Sequence, residues 1–162
     1  MLVKLPIFWT VLLNVLAWLG IQLGLAWTMT QILPEQFNPR CKWARLRLWE
    51  SSGGVYARFF AIKLWKDWLP DAASWFNGGF AKAKLRAYTP DFLERFLRET
   101  WRGELTHWLA LLTLPVFAIW NPGWGIAVNA GYAVAANLPC ILVQRYNRAR
   151  FMRVLEHAAK LN

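Results

Sequence analysis

The sequence predicts an all-α integral membrane protein, with about three transmembrane helices and short amphipathic helices at the cytoplasmic interface. The chain of 162 residues is 57% hydrophobic, holds 12 Trp, and still carries a formal charge of +10. Indoles settle at headgroup level and Lys/Arg face anionic lipid, so this combination suits a bilayer better than a soluble domain. The cations lie beside apolar runs, which argues against nucleic acid as the partner. The length bounds the chain to one membrane domain, 1–162.

The first span is expected over about 5–27. Its apolar run is interrupted only by uncharged Thr10, Asn14 and Gln22, and a bilayer core needs about 20 such residues. A signal-peptide apolar region is shorter and ends at small residues, whereas Trp27 suits no cleavage site, so an uncleaved helix is expected. Asn14 and Gln22 are eight apart and share a face, where amides in a span usually meet other helices.

A connector with Pro34 and Pro39 follows. Arg40, Lys42, Arg45 and Arg47 then alternate with Trp43, Leu46, Leu48 and Trp49 as a basic, aromatic surface segment, broken at 51–54. Residues 55–69 read as one interfacial helix, with Tyr56, Phe59, Phe60, Ile62 and Trp65 on the apolar side and Arg58, Lys63 and Lys66 beside them. The stretch 72–89 reads as a Gly78-Gly79 loop and a short strand. Thr89-Pro90-Asp91 then opens a helix, as cap, first-turn proline and dipole-complementing acid. Phe92, Leu93, Phe96, Leu97 and Trp101 form its apolar stripe. Together, about 40–106 is the expected interfacial region.

The second span is expected over about 107–121. It is short for a full crossing, and a re-entrant hairpin is the alternative. Asn121-Pro122-Gly123 makes a turn between interfacial Trp120 and Trp124. The third span, about 124–143, contains Asn129, Asn137 and Pro139; a basic stretch and a short helix end the chain. Thirteen Lys/Arg lie between Thr28 and Thr106 and five follow Gln144, but none lies near Pro122. The positive-inside rule therefore places the N-terminus outside and the central region and tail in the cytoplasm.

The chemistry concentrates at the start of the second span. Glu104 and His107 are three apart, so a helix puts them on one face, where the carboxylate can orient the imidazole. His107 is the expected general base, with Glu104 beside it. Antiparallel return from the turn at Pro122 brings position 144 to the depth of 107. There Asn147 is expected to stabilise an oxyanion. Arg145, Arg148, Arg150 and Gln144 are expected to bind a phosphate-bearing donor, with Lys66 and Asp67 bordering the cleft. Cys41 and Cys140 lie at different depths, so neither a disulfide nor a metal cluster is expected.

Three stretches carry a resemblance: Glu104-Leu105-Thr106-His107-Trp108, Asn137-Leu138-Pro139, and Gln144-Arg145-Tyr146-Asn147-Arg148-Ala149-Arg150. With Glu50, Gly53 or Gly54, Trp65-Lys66 and Asp71 upstream, they resemble the glycosyl-diaponeurosporenoate acyltransferases of bacterial carotenoid pathways. The chain departs from that pattern at Ala149, where proline is common, and at Ala72-Ala73, where glycine is usual. The resemblance implies an inner-membrane enzyme that transfers a fatty acyl group to a sugar hydroxyl of a glycosylated carotenoid or similar glycolipid. No bound cofactor is expected; acyl-CoA or acyl-carrier protein would be the donor substrate. The expected partners are membrane lipid, a lipidic or carotenoid acceptor, and other membrane proteins. The competing expectation is a non-catalytic membrane subunit, an assembly or pigment-binding component of a larger complex.

Overall fold

The computed structural model describes residues 1–50, 53–69 and 89–161. Among the described residues the regular elements are all helices. Helix α1, Ile7–Gln31, follows Pro6 and is about 37 Å long at 1.5 Å per residue. It buries only Thr10, Trp18 and Met29, and most of its large apolar side chains face outward. Lipid can cover such a helix, whereas water would leave it exposed.

The polypeptide then makes 3₁₀ turns at Pro34–Gln36 and Leu48–Glu50. Two short helices follow, α2 (Gly54–Phe59) and α3 (Ile62–Trp65), and then a 3₁₀ turn at Lys66–Trp68. The single interfacial helix expected over 55–69 is therefore broken. Ala61 sits between the two pieces at φ 47°, in the left-handed region that ends a helix. The expected loop and strand of 72–89, apart from Thr89, and Asp71 lie outside the described residues.

Helix α4, Pro90–Leu112, begins as the sequence indicates: the Thr89 hydroxyl accepts from Phe92 N–H, and Pro90 occupies the first turn. Its apolar stripe is real. Leu93, Phe96 and Leu97 are buried against Phe151 and flanked by Met152 and Leu155. Trp101 joins Met29, Phe37 and Ala44 in a second core that ties α1 and the connector to α4.

The expected second span, 107–121, does not form one continuous α-helix. Helix α4 ends at Leu112, and Leu114–Ile119 is a 3₁₀ segment with Pro115 in its first turn. Proline disrupts the α-helical ladder, which composition alone does not register. Among the described residues, two helices are long and apolar enough to cross a membrane: Ile7–Gln31 and the greater part of α5.

Helix α5, Gly123–Leu161, runs 39 residues without interruption, about 58 Å, through Pro139 and the basic stretch. The separate tail helix expected from the sequence is its continuation. It packs antiparallel to α4: Phe96 meets Phe151 at 4.5 Å between ring centroids, Glu104 meets Arg148, and Phe117 meets Ala133. Leu2 and Val3 N–H donate to the Ile119 carbonyl, at 2.7 and 3.0 Å, so the N-terminus and the hairpin tip share one end. Helices α1 and α5 therefore run parallel.

Polar pairs bind α1 to its neighbours. Asn14 and Asn121 exchange amide hydrogen bonds at 2.9 and 2.8 Å, and Trp120 Nε1 donates to Asn14 Oδ1 at 2.7 Å. Trp18 Nε1 donates to Asn129 Oδ1 at 2.8 Å, and Gln22 Nε2 donates to Asn137 Oδ1 at 3.1 Å. In lipid, where apolar contact gives helices no preference for one another, such bonds add about 0.6 kcal/mol each.

Candidate active site

Two polar groups meet where α4 and α5 face each other at mid-length. The first is an ion cluster. Glu50 is the lone carboxylate between Glu35 and Asp67 in the sequence. The turn at Leu48–Glu50 delivers it, buried, to α5. It accepts from Arg47 N–H at 2.6 Å, from the Tyr56 hydroxyl, and from Arg145 Nε and Nη2, each at 2.7 Å. Burial works to raise its pKa, but the Arg145, Tyr56 and backbone hydrogen bonds overcome it and hold the group down to about 2. Burial and the bond to Glu50 push the Tyr56 phenol up to about 12, so it stays protonated and donates.

Arg145 bridges onward, Nη1 to Glu104 Oε1 at 2.8 Å. Glu104 also accepts from Trp108 Nε1 at 3.2 Å and from Arg148 Nη2. Arg148 is fully buried, with its guanidinium carbon 5.7 Å from the Trp101 ring centroid. Two carboxylates thus match two guanidinium groups, and the cluster fastens the 47–56 segment to the α4–α5 pair. Gly53 sits at φ 65°, the left-handed region that favours glycine; the space beside it is not the constraint, since a Cβ there would make ordinary contact with the Tyr146 ring at 3.4 Å and Ala149 at 3.6 Å.

The second group centres on His107. Its Nδ1 lies 2.9 Å from Asn137 Oδ1. The amide of Asn137 donates to the Ala133 carbonyl at 2.9 Å, which turns Oδ1 toward His107 and Gln22. An amide oxygen only accepts, so this arrangement puts the ring proton on Nδ1 and makes Nε2 the basic nitrogen.

The expected site residues divide accordingly. Glu104 and His107 both face α5, but Glu104 gives its carboxylate to Arg145, Arg148 and Trp108, and the amide of Asn137 orients the imidazole. Arg145, half-buried, and Arg148, fully buried, both expected to bind phosphate, are engaged by carboxylates inside the protein; guanidinium groups so paired are poorly placed for a soluble anion. Arg150 is exposed and lies over the Tyr146 ring, 5.5 Å from its centroid. Gln144 and Asn147 are half-buried on α5. Asn147 stands about 100° round the helix from Arg148 and joins none of the hydrogen bonds of Glu104 or His107. Lys66 and Asp67 pair with each other at the surface, next to Trp65, which packs on the Tyr56–Ile62–Tyr146 cluster. Arg102 pairs with Glu99 at 2.7 Å.

Gln22, Asn137, Glu50 and Tyr56 are the residues that residue-by-residue reading left without a role here. The eight-residue spacing of Asn14 and Gln22, repeated by Asn129 and Asn137, signals facing polar ladders. Glu50 stands out as one acid among many cations. Nothing in the sequence pattern marks Tyr56.

No solved structure matches the chain. The family described as glycosyl-4,4'-diaponeurosporenoate acyltransferase matches residues 39–157. A protein of Staphylococcus haemolyticus (strain JCSC1435) bearing that name is 31% identical over 157 residues, covering 89% of each chain. Its namesake in Staphylococcus aureus (strain N315) is 31% identical over 140 residues, covering 85% of this chain and 83% of its own. The match takes in both polar groups on α4 and α5, and the chain belongs to the glycosyl-4,4'-diaponeurosporenoate acyltransferase family.

Proposed function

We propose that this protein is a membrane O-acyltransferase that moves a fatty acyl group from a thioester donor, acyl-CoA or acyl-carrier protein, to a sugar hydroxyl of a glycosylated carotenoid or similar glycolipid. The observation that carries the reading is the 2.9 Å contact of His107 Nδ1 with Asn137 Oδ1. It holds the imidazole in the tautomer whose Nε2 takes a proton. His107 Nε2 receives the hydroxyl proton as the sugar oxygen attacks the thioester carbonyl. The C–O bond forms, the C–S bond breaks, and the thiolate leaves and recovers the proton from His107. A positioned base of this kind contributes about 10²- to 10⁴-fold. Gln144 and Asn147, further along α5 from Asn137, are assigned to the polar head of the substrate rather than to the reacting carbon; Asn147 stands about 15 Å along the helix from Asn137.

The charge distribution supports a cytoplasmic face for this chemistry at the inner membrane, with the N-terminus and hairpin tip outside. In this topology the apolar end of α4 and the 3₁₀ segment form an inserted arm between two full crossings. The exposed Trp43, Trp49, Phe59, Leu64 and Trp68, interleaved with Lys42, Arg45, Arg47, Arg58 and Lys63, rest on the membrane surface.

The test is reconstitution in lipid nanodiscs with acyl-CoA and a glycosylated carotenoid. Ester formation by the wild type, lost in His107→Ala while membrane insertion persists, is the expected result. A protein that forms no ester and purifies only within a stoichiometric membrane complex would instead be a non-catalytic subunit.

A further inference from the structure

The parallel helices α1 and α5 leave a groove of about 340 Å³ between them, within the range of small-ligand sites. Val11, Val15 and Leu19 line it from α1, and Trp124, Val128 and Tyr132 from α5. All six are exposed. The buried residues beneath them include Asn14's partner Asn121, and Trp18 with Asn129. Their polar atoms are already engaged with one another or with backbone carbonyls. What the groove offers a ligand is hydrocarbon contact.

Its position and length narrow the occupant. Along α1 the lining runs from Ile7 to Leu19, about 18 Å. An extended chain advances about 3.5 Å per three bonds, so this length matches about 15 bonds. A rigid chain long enough to cross the roughly 30 Å bilayer core would overrun it. The upper end adjoins the reactive group: Leu19 is one helical turn from Gln22, and Tyr132 is about 7.5 Å along the helix from Asn137. The lining ends near Trp124 and the hairpin tip.

We propose that the groove holds the acyl chain of the thioester donor, extended between α1 and α5. The thioester carbon lies at the Gln22–Asn137–His107 end, and the groove's depth selects chains of about 14 to 16 carbons. This rests on the acyltransferase reading above. The acceptor's long apolar skeleton then approaches from the lipid side and not through the groove.

Two measurements on the full chain in phosphatidylcholine nanodiscs test it. The first photolabels the protein with palmitoyl-CoA carrying a terminal diazirine. Label is expected on the peptides around Val11 and Val128, suppressed by unlabelled palmitoyl-CoA. Label spread over all lipid-facing surfaces, or equal labelling of the groove by a diazirine phosphatidylcholine without competition, overturns the proposal in favour of bulk lipid. The second compares decanoyl-CoA with palmitoyl-CoA as donors for Val11→Trp and Val128→Trp. Each bulky ring shortens the groove, so the rate ratio of the shorter to the longer donor should rise about tenfold or more. An unchanged ratio in both variants overturns the proposal. Competed label in the groove without any ester formation would keep the acyl-thioester site and overturn the acyltransferase reading. Ester formation with label elsewhere would do the reverse.

Discussion

At Asn137, one amide oxygen accepts from His107 Nδ1–H at 2.9 Å and from Gln22 Nε2 at 3.1 Å. A side chain without that oxygen releases both. Asn137→Leu should therefore lower the acyl-transfer rate by about 10- to 100-fold, a share of what a positioned base supplies. Nitrogen NMR of His107 should show the proton shared between the two ring positions in that variant and confined to Nδ1 in the wild type. Asn137→Asp keeps the acceptor and should keep the tautomer. Unchanged rate and spectrum in Asn137→Leu would remove Asn137 from the site. Glu50 makes a prediction of a different kind. Its pKa is held at about 2, below the ordinary 4.5, so the ionised form is favoured in the folded state. That contribution is complete above about pH 4.5 and is lost as pH falls through the folded value. The melting-temperature difference between wild type and Glu50→Gln, measured in detergent, should shrink steadily over that window. A difference that stays constant would mean that the ion pair does not hold the carboxylate down.

The helices show where sequence pattern carries structure and where it does not. The start of α4 was legible because Thr89, Pro90 and Asp91 each act locally, and α1 because its run of uncharged apolar residues exceeds what a bilayer requires. The break at Ala61 was not legible: the apolar period of 55–69 continues across it, and only the backbone angle shows the left-handed turn. Nor was the change from α-helix to 3₁₀ after Leu112, since hydropathy sums composition and is blind to the ladder that Pro115 interrupts. Pro139 lies inside a helix as expected, but that helix continues past 143 through the basic stretch to Leu161, where the sequence predicts a separate tail helix. The ion cluster joins residues 41 to 95 positions apart in sequence, and spacing within one helix placed Glu104 beside His107 without showing the stronger claim of Arg145 and Arg148. Removing that carboxylate leaves the fully buried Arg148 without its counter-charge, while Arg145 keeps its bonds to Glu50. Glu104→Gln should destabilise the protein by about 3–5 kcal/mol, read by denaturant titration in mixed micelles. A loss below about 1 kcal/mol would mean that the cluster is solvated and does not fasten the 47–56 segment.

Across the whole molecule, the two polar groups have separate tasks. The Glu50–Arg145–Glu104–Arg148 cluster holds the surface segment against α4 and α5, and the Gln22–Asn137–His107 bonds draw three helices onto one imidazole. The sequence indicated that the stretches around 104–107 and 144–150 would meet, because antiparallel return from Pro122 requires it. It did not indicate that α1 would complete the group, since the partner of Gln22 depends on helix rotation. The account stands on His107. Acyl transfer measured in nanodiscs, with His107→Ala compared against wild type at equal insertion and equal melting temperature, tests it most directly. The predicted result is a fall in ester formation of about 10²- to 10⁴-fold; undiminished ester formation by His107→Ala would contradict it.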